Sequence, residues 1–379
     1  MKRVAVFGST GSVGTSALDI VRAHPKRFRV DGLCAYGDSD TLAAQAREFC
    51  PRAVCLVDSQ REKELRKKLR GRRIRYYFGR AGLREFSRRN ADLTLMAISG
   101  IDALRPLWEH IPYAKTVALA NKESVVCAGH ILFRRARKYG VRILPVDSEI
   151  NAFFQLWQMR DTPIDKVYLT ASGGALLDYR RSQLKNVSPR DVLRHPTWKM
   201  GKRITVDSAT LVNKAFEVIE THFFFDMPYD RIEVLLHRES IAHALVRSPD
   251  RMIFACMYPP DMRLPIAAAF FYPERRRDLP EADFCARKLT FEPLPARRFP
   301  LFDLVTETAR RADNGTVVLN ACDEVLVDAF LREKIKFHRI SALMKWMRGV
   351  YPSRPVKKID DVFFWDRWAR VKMKERIAG

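Results

Sequence analysis

Two stretches place carboxylates where they could act together. LPVDSEINAFFQ, residues 144–155, carries Asp147 and Glu149 directly after an apolar run, residues 141–146, that reads as a buried strand. On an extended backbone residues two apart point the same way, so this pair would present both carboxylates together. SATLVNKAFEVIE, residues 208–220, carries Glu217 among Val212, Phe216 and Ile219, an apolar row at helical spacing. Three hard oxygen donors in one place favour magnesium or manganese over zinc. Each piece also has an ordinary reading. Asp147 or Ser148 could cap a helix beginning near Asn151. Glu217 and Glu220 could lie on a solvated helix edge. Spacing alone favours these ordinary outcomes.

Around the second carboxylate stretch stand groups suited to an oxyanion. Ser208, Asn213 and Lys214 offer hydroxyl, amide and ammonium donors to a phosphate, although Lys214 and Glu217, three apart, could equally form a structural ion pair. A strand over residues 166–169 runs into Thr-Ala-Ser-Gly-Gly, where Ser172 and the free N–H groups could form an anion nest or simply a turn. Residues 190–203 mix His195, Trp198 and Met200 with Pro and Gly without a period, the profile of a flap with an aromatic lid. A lone loop histidine is more often merely solvated.

The elements that would position these groups begin at residue 3. An apolar run over residues 3–7 ends in Gly8, and Gly8, Gly11 and Gly14 punctuate GSTGSVGTSALDIV ahead of an amphipathic helix with Ala17, Leu18, Ile20 and Val21. Strand, glycine turn and helix form the dinucleotide-binding arrangement, in which backbone N–H groups at a helix N-terminus meet a pyrophosphate. A tight turn with no ligand is the ordinary alternative. A second strand over residues 29–36, a helix over 41–49 and a third strand over 53–57 imply parallel strands with right-handed crossovers. The second strand ends in Gly37, Asp38, Ser39 and Asp40, and acidic residues there suit a free ribose hydroxyl better than a 2′-phosphate.

Further strands over residues 93–98, 116–120 and 141–146 would complete the sheet. Their carboxyl ends deliver Lys122, Glu123 and Asp147 to the ligand crevice. Residues 232–236 and 252–257 read as strands flanking HRESIAHALV, which suggests an antiparallel or mixed sheet in a second domain with His237 and His243 nearby. Residues 272–300, rich in Pro, Arg and Glu, read as a linker. Residues 301–311, 317–333, 340–348 and 362–377 are helical by pattern. The expected architecture is thus α/β: a Rossmann-type N-terminal domain (1–146), an α+β domain (147–271), the linker (272–300), and a C-terminal helical bundle (301–379).

Bulk properties narrow the function classes. The 379 residues are 47% hydrophobic and 30% charged, as in a soluble globular protein with room for several domains. MKRVAVFGSTGS lacks a signal-peptide core, and no apolar span approaches the roughly 18 residues of a membrane helix. The seven cysteines are scattered and never spaced as CxxC, so they read as buried thiols in a reducing, cytoplasmic setting. The net charge of +24 would attract nucleic acid, acidic membrane or anionic metabolites. The basic run REKELRKKLRGRR, residues 61–73, carries apolar residues only at Leu65 and Leu69, so it reads as a solvated surface helix with one thin buried stripe. Neither nucleic acid nor membrane is an expected partner.

With these residues assembled, the sequence resembles the 1-deoxy-D-xylulose 5-phosphate reductoisomerases over nearly its whole length. The resemblance rests on GSTGSVG at 8–14, ALANKES at 118–124, LPVDSEINAFFQ, LTASGG at 169–174, HPTWKMGKRITVDSATLVNK at 195–214 and PDMRLPIA at 260–267. It implies NADPH-dependent rearrangement and reduction of 1-deoxy-D-xylulose 5-phosphate to 2-C-methyl-D-erythritol 4-phosphate, in the non-mevalonate isoprenoid pathway, by a cytoplasmic homodimer using Mn2+ or Mg2+. It implies Asp147, Glu149 and Glu217 as metal ligands. Ser148, Glu149, Ser172, His195, Trp198, Ser208, Asn213, Lys214 and Glu217 would contact substrate. Lys122, Glu149, His195 and Lys214 would be catalytic, with His243 another active-site residue. The cofactor would meet Gly8, Ser9, Thr10, Gly11, Ser12, Val13, Gly37, Asp38, Asn121, Lys122, Glu123 and Gly201.

The sequence departs from the family pattern at Gly37-Asp38, where a basic residue and Asn are frequent, at His237-Arg238-Glu239-Ser240, at Ala175-Leu176 and at Ala215. None of these removes an implied ligand. Two rival readings remain: another NAD(P)-dependent phosphosugar dehydrogenase on a related scaffold, and a basic nucleic-acid-binding protein whose affinity would fall steeply with salt.

Overall fold

Val4, Val6 and Phe7 are wholly buried, as a strand covered on both faces requires. A computed structural model describes the chain apart from residues 160–162, 181, 195, 196, 199, 277, 278, 280, 282, 284, 286, 287, 296 and 379. In chain order the elements are β1 (Lys2–Phe7), α1 (Ser12–Ala23), β2 (Phe28–Ala35), α2 (Ser39–Phe49), β3 (Ala53–Leu56), α3 (Glu62–Lys68), β4 (Arg75–Phe78), α4 (Gly79–Ser87), β5 (Ala91–Met96), α5 (Leu104–His110), β6 (Ala114–Leu119), α6 (Lys122–Lys138), β7 (Arg142–Pro145) and α7 (Ser148–Met159). There follow β8 (Lys166–Ala171), α8 (Pro189–Val192), α9 (Lys202–Thr210), α10 (Val212–Phe225), β9 (Ile232–Leu236), β10 (Ala242–Arg247), β11 (Ile253–Met257), α11 (Arg263–Phe271) and β12 (Glu292–Pro293). Four helices close the chain: α12 (Pro300–Ala309), α13 (Gly315–Leu331), α14 (Phe337–Val350) and α15 (Ile359–Ala378).

The chain divides into two compact units. The first comprises Met1–Ser124, Leu132–Asn151 and Asp261–Leu279, and the second Val125–Ile131, Ala152–Pro260 and Pro280–Gly379. In the first unit seven parallel strands are ordered β4-β3-β2-β1-β5-β6-β7. The chain builds outward from β1 to β4, then crosses to the other side of β1 to begin β5. The topological switch point therefore lies between β1 and β5, where a doubly wound sheet opens its ligand crevice at the carboxyl ends of the strands. Phe270 and Phe271 of α11 pack edge-on against Phe28 at centroid distances of 5.6 and 4.9 Å, covering one face of the sheet's early strands.

In the second unit a five-stranded sheet is ordered β11-β10-β8-β9-β12. Only the β8–β9 pairing is parallel, so this sheet is mixed, as expected. The core of the unit joins Val206 and Phe216 of α9 and α10 to Leu326 and Phe330 of α13 and to Met344 and Met347 of α14.

The α/β class, the nucleotide-type sheet and the C-terminal helices agree with the expectation, and several details correct it. Glu149 does not follow Asp147 on an extended backbone: α7 begins at Ser148, and Asn151 N–H donates to the Asp147 carbonyl at 2.8 Å, so Glu149 stands in the first helical turn. β4 was hidden by its arginine-rich lead-in, and β10 by small alanines inside a stretch taken only as flanked by strands. Leu65 and Leu69 form the thin buried stripe of the basic helix region, as expected. Of the cysteines, Cys34, Cys55, Cys127 and Cys322 are buried, whereas Cys50 and Cys285 are exposed and Cys256 is half-buried. Among the described residues no helix is long and apolar enough to cross a membrane.

Candidate active site

The glycine turn is built by close backbone approach. Gly8 has φ +85°, and a Cβ there would lie 2.4 Å from the Ala97 carbonyl oxygen beyond β5. Its N–H and that of Ser9 both donate to the Cys34 carbonyl, at 2.8 and 2.9 Å, tying the turn to β2. A Cβ on Gly14 would come within 2.2 Å of the Gly8 carbonyl oxygen, which is why α1 can sit so close to the end of β1. Gly11 is different: a Cβ there would meet nothing nearer than 3.5 Å. Its lack of a side chain leaves open space beside the backbone rather than relieving a clash. Gly8, Ser9, Thr10, Gly11, Ser12 and Val13 thus form one turn at the N-terminus of α1, with no side chain capping that helix. Such a cradle fits a pyrophosphate.

The carboxyl ends of β5 and β6 are sewn together by two residues expected to touch cofactor. Asn121 caps α6, accepting from Ser124 N–H at 2.9 Å, and its Nδ2 donates to the Gly100 carbonyl at 2.9 Å and to Glu123 Oε2 at 2.7 Å. Glu123 Oε1 in turn accepts from Gly100 N–H at 3.1 Å. Between them Lys122 is buried, and its Nζ lies 2.5 Å from Asp147 Oδ2.

At the end of β2, Asp38 has a structural task. Its carboxylate accepts from Thr41 N–H at 3.0 Å and caps α2, and that backbone N–H holds the carboxyl below the usual carboxylate range. Asp38→Ala is expected to cost about 1 kcal/mol of stability through loss of the cap. Thermal denaturation checks this, and an unchanged melting temperature would show that the cap contributes nothing.

Asp147 and Glu149 flank the start of α7. Asp147 Oδ1 is buried and accepts no hydrogen bond, while Ser148 Oγ donates to Glu149. Asn151, which sequence reasoning treated only as a helix start, is 2% exposed and donates through Nδ2 to the Pro145 carbonyl at 2.8 Å, pinning the helix to the end of β7. Its signal was a polar residue one turn into an otherwise apolar helix.

In the second unit Leu211, at φ +58°, ends α9 and starts α10. The break puts Ser208 on one helix and Asn213, Lys214 and Glu217 on the next. Glu217 is 1% exposed, which overturns the solvated-edge reading for it and for Glu220, also 1% exposed. Asn213 Nδ2 donates to Glu217 Oε1 at 2.6 Å, and Lys214 pairs with Oε2. The Ser172 loop reaches the same helix break: Gly174, at φ +69°, packs so tightly that a Cβ would lie 2.8 Å from backbone atoms of Ser208 and Ala209. The sequence grouped Gly174 with Ser172 as an anion nest or a turn; what it did not show is that Gly174 lets this loop approach the backbone of Ser208 and Ala209.

Trp198 meets His243 edge-on at 6.0 Å, and His243 stacks on Tyr258 at 4.0 Å. Thr197 Oγ1 lies 3.3 Å from Ser240 Oγ. Gly201 begins α9 as its cap residue. His195 lies outside the described residues. His237, within the departing HRES motif, accepts backbone N–H groups of Ile241 and Ala242 at Nε2 and so works as a turn staple.

Asp147, Glu149 and Glu217 each offer a carboxylate oxygen, and these atoms lie within 4.8 Å of one another. An all-oxygen donor set with an unpartnered buried oxygen on Asp147 fits a hard divalent cation. A doubly wound nucleotide fold with this donor set defines a metal-assisted oxidoreductase of the dinucleotide-binding class.

Comparison with known proteins narrows the class. The family model described as 1-deoxy-D-xylulose 5-phosphate reductoisomerase matches residues 4–129, and models of its C-terminal domains match residues 143–225 and 257–372. The protein of that name from Thermodesulfovibrio yellowstonii is 42% identical over 382 residues, covering 100% of both chains, and that from Desulfosudis oleivorans is 42% identical over 376 residues, covering 98% of each. Among solved structures, the Zymomonas mobilis enzyme in complex with NADPH superposes with a TM-score of 0.92 at 33% identity, covering 99% of each chain. A DOX-P reductoisomerase in complex with NADPH, fosmidomycin and magnesium gives 0.92 at 32%, covering 100% of this chain and 98% of that one. The chain belongs to the 1-deoxy-D-xylulose 5-phosphate reductoisomerase family.

Proposed function

We propose that this protein rearranges and reduces 1-deoxy-D-xylulose 5-phosphate to 2-C-methyl-D-erythritol 4-phosphate, with NADPH as reductant and magnesium or manganese as Lewis acid. The observation that carries the reading is the close set of carboxylate oxygens on Asp147, Glu149 and Glu217, in a chain of this family. A bound divalent ion would polarise the substrate's carbonyl and a neighbouring hydroxyl, and NADPH would supply the hydride. One carbon–carbon bond breaks and another forms without net oxidation. The hydride and a proton then convert the new aldehyde to an alcohol.

The chain's own side chains do the rest. Ser172, the N–H groups of the Gly173-Gly174 turn, Ser208, Asn213 and Lys214 would hold the phosphate and hydroxyls, and Ser148 a hydroxyl. Lys122 Nζ and Lys214 Nζ, each already against a carboxylate, carry protons where negative charge would develop on substrate oxygen. Trp198, leaning on His243, is suited to close the site and exclude water from a reactive aldehyde. Remote phosphate binding would supply energy for that closure.

The assembly we propose is a homodimer. Strand β11 is an edge strand of the second sheet, yet Ile253, Phe254 and Met257 are 58%, 51% and 41% exposed, an apolar edge suited to a second copy. The buried thiols of Cys34, Cys55 and Cys322 suit a reducing cytoplasm. The test is NADPH oxidation followed with substrate and either metal. Metal-dependent, substrate-dependent oxidation is expected; no oxidation by folded, metal-loaded protein would overturn the reading.

A further inference from the structure

Helix α9 carries, one residue before Ser208, a carboxylate that faces the core: Asp207 is 5% exposed. One turn earlier Arg203 reaches Asp207 Oδ2 at 3.5 Å, Asp323 Oδ2 at 3.4 Å and Glu324 Oε1 at 2.9 Å, the last two on α13. From α15, Arg370 pairs with Glu324 and, at 2.9 Å, with Asp366. Among the described residues, Arg203 and Arg370 thus pair with four carboxylates, and the side-chain oxygen of Asn320 is also 3.3 Å from Arg203. The other helices packed on α13 bring apolar groups, Leu304 and Val305 from α12 and Met344 and Met347 from α14.

Asp323 is wholly buried, and its Oδ1 has no hydrogen-bond partner while the cluster is fully ionised. Arg203 and the Asp207 carboxyl both lie within hydrogen-bonding reach of Asp323. Two carboxylates cannot donate to each other, and like charges in a site shielded from water cannot both ionise cheaply. One proton on the pair relieves the repulsion and turns an unpartnered oxygen into half of a hydrogen bond.

We propose that Asp207 and Asp323 hold one proton between them and act as a positioning pair, whose carboxyl–carboxylate hydrogen bond ties α9 to α13 and fixes Ser208 for the substrate's phosphate. The proposal rests on the phosphate role read for Ser208. Burial raises Asp323 from the ordinary 3.8 to about 6, with Glu324 adding to the rise and Arg203 and the hydrogen bond with Asp207 opposing it. The folded chain thus binds this proton more tightly than the unfolded chain. The clamp is intact at acid pH and is lost as pH rises above the ordinary carboxylate range.

Infrared spectroscopy on the full-length protein, with KM measured against pH, tests the pair. The wild-type protein shows a protonated-carboxyl absorption that fades on raising the pH, and its KM for the phosphosugar rises over the same range. Asp323→Asn, which keeps a donor toward Asp207 without a titrating proton, loses the absorption and that part of the KM profile. Comparing the two proteins cancels the titration of the substrate's own phosphate. Asp323→Ala raises KM roughly tenfold, the weight of one lost buried hydrogen bond, with kcat affected less. An absorption that persists in Asp323→Asn, or a KM profile identical to wild type, would overturn the proposal. Ser208→Ala separates the two readings: an unchanged KM there removes the phosphate role, whereas the carboxyl absorption judges the shared proton by itself.

Discussion

Glu217→Gln is expected to lower metal affinity sharply and to slow turnover by roughly 10²–10³-fold, the loss of ~3–4 kcal/mol of charge stabilisation. The substitution conserves shape, and the amide can still accept from Asn213, so packing within α10 is kept. What disappears is the negative charge shared by Lys214 and the proposed metal ion. Lys214 is 3% exposed, and stranding a buried ammonium without its anion costs stability as well. The two effects are separable. Removing Lys214's charge in the same chain, as Lys214→Gln, should recover much of the lost melting temperature and none of the metal affinity. Titration with manganese, read by electron paramagnetic resonance, measures that affinity directly, and wild-type binding by the Glu217→Gln protein would mean that Glu217 is no ligand.

The second large effect is expected from a single methyl group. In Gly14→Ala the new Cβ would sit 2.2 Å from the Gly8 carbonyl oxygen, 2.7 Å from Ser9 Cα and 2.8 Å from Ser9 C. All three are backbone atoms, so no side-chain rotation relieves the contact, and α1 must move away from the end of β1. Overpacking of this kind costs about 1–3 kcal/mol. Because the displaced backbone is the turn that would cradle a pyrophosphate, NADPH affinity should fall by about tenfold or more, the equivalent of roughly 1.4 kcal/mol. Gly11→Ala is the control: its Cβ meets nothing nearer than 3.5 Å, so it should fold normally and report only on how closely the cofactor approaches. Melting curves and fluorescence titration with NADPH distinguish these outcomes. A Gly14→Ala protein that melts and binds like wild type would contradict the packing account of the turn.

These two expectations draw on different kinds of sequence information. The turn was legible locally, because a strand, three glycines and an amphipathic helix lie within residues 3–21 and the physics that demands glycine acts over the same short span. The carboxylates were visible as residues but not as a set. Spacing put Asp147 and Glu149 on one extended face, whereas the chain turns into α7 between them. It also made Glu217 a solvated edge, whereas tertiary packing buries it with Lys214. Burial of charge depends on partners distant in sequence. For the same reason the cluster of Arg203, Asp207, Asp323, Glu324, Asp366 and Arg370 left no signal, since its members are drawn from three helices spread over residues 203–370. Strand β10 escaped notice because alanine has little strand preference of its own, and its burial comes from lying between β8 and β11.

The departure at Gly37-Asp38 acquires a physical explanation of its own. An acidic residue at the end of the second strand suits a ribose hydroxyl, but here the Asp38 carboxylate is committed to the N-terminus of α2. Its presence is explained by helix capping and carries no statement about which nicotinamide cofactor the crevice takes.

Identification of the product formed with deuteride-labelled NADPH tests the central claim most directly. With 1-deoxy-D-xylulose 5-phosphate and magnesium, nuclear magnetic resonance should show the branched 2-C-methyl-D-erythritol 4-phosphate, with one deuterium on the carbon reduced from the aldehyde. Deuterium in an unbranched sugar alcohol would show reduction without rearrangement and would contradict the account.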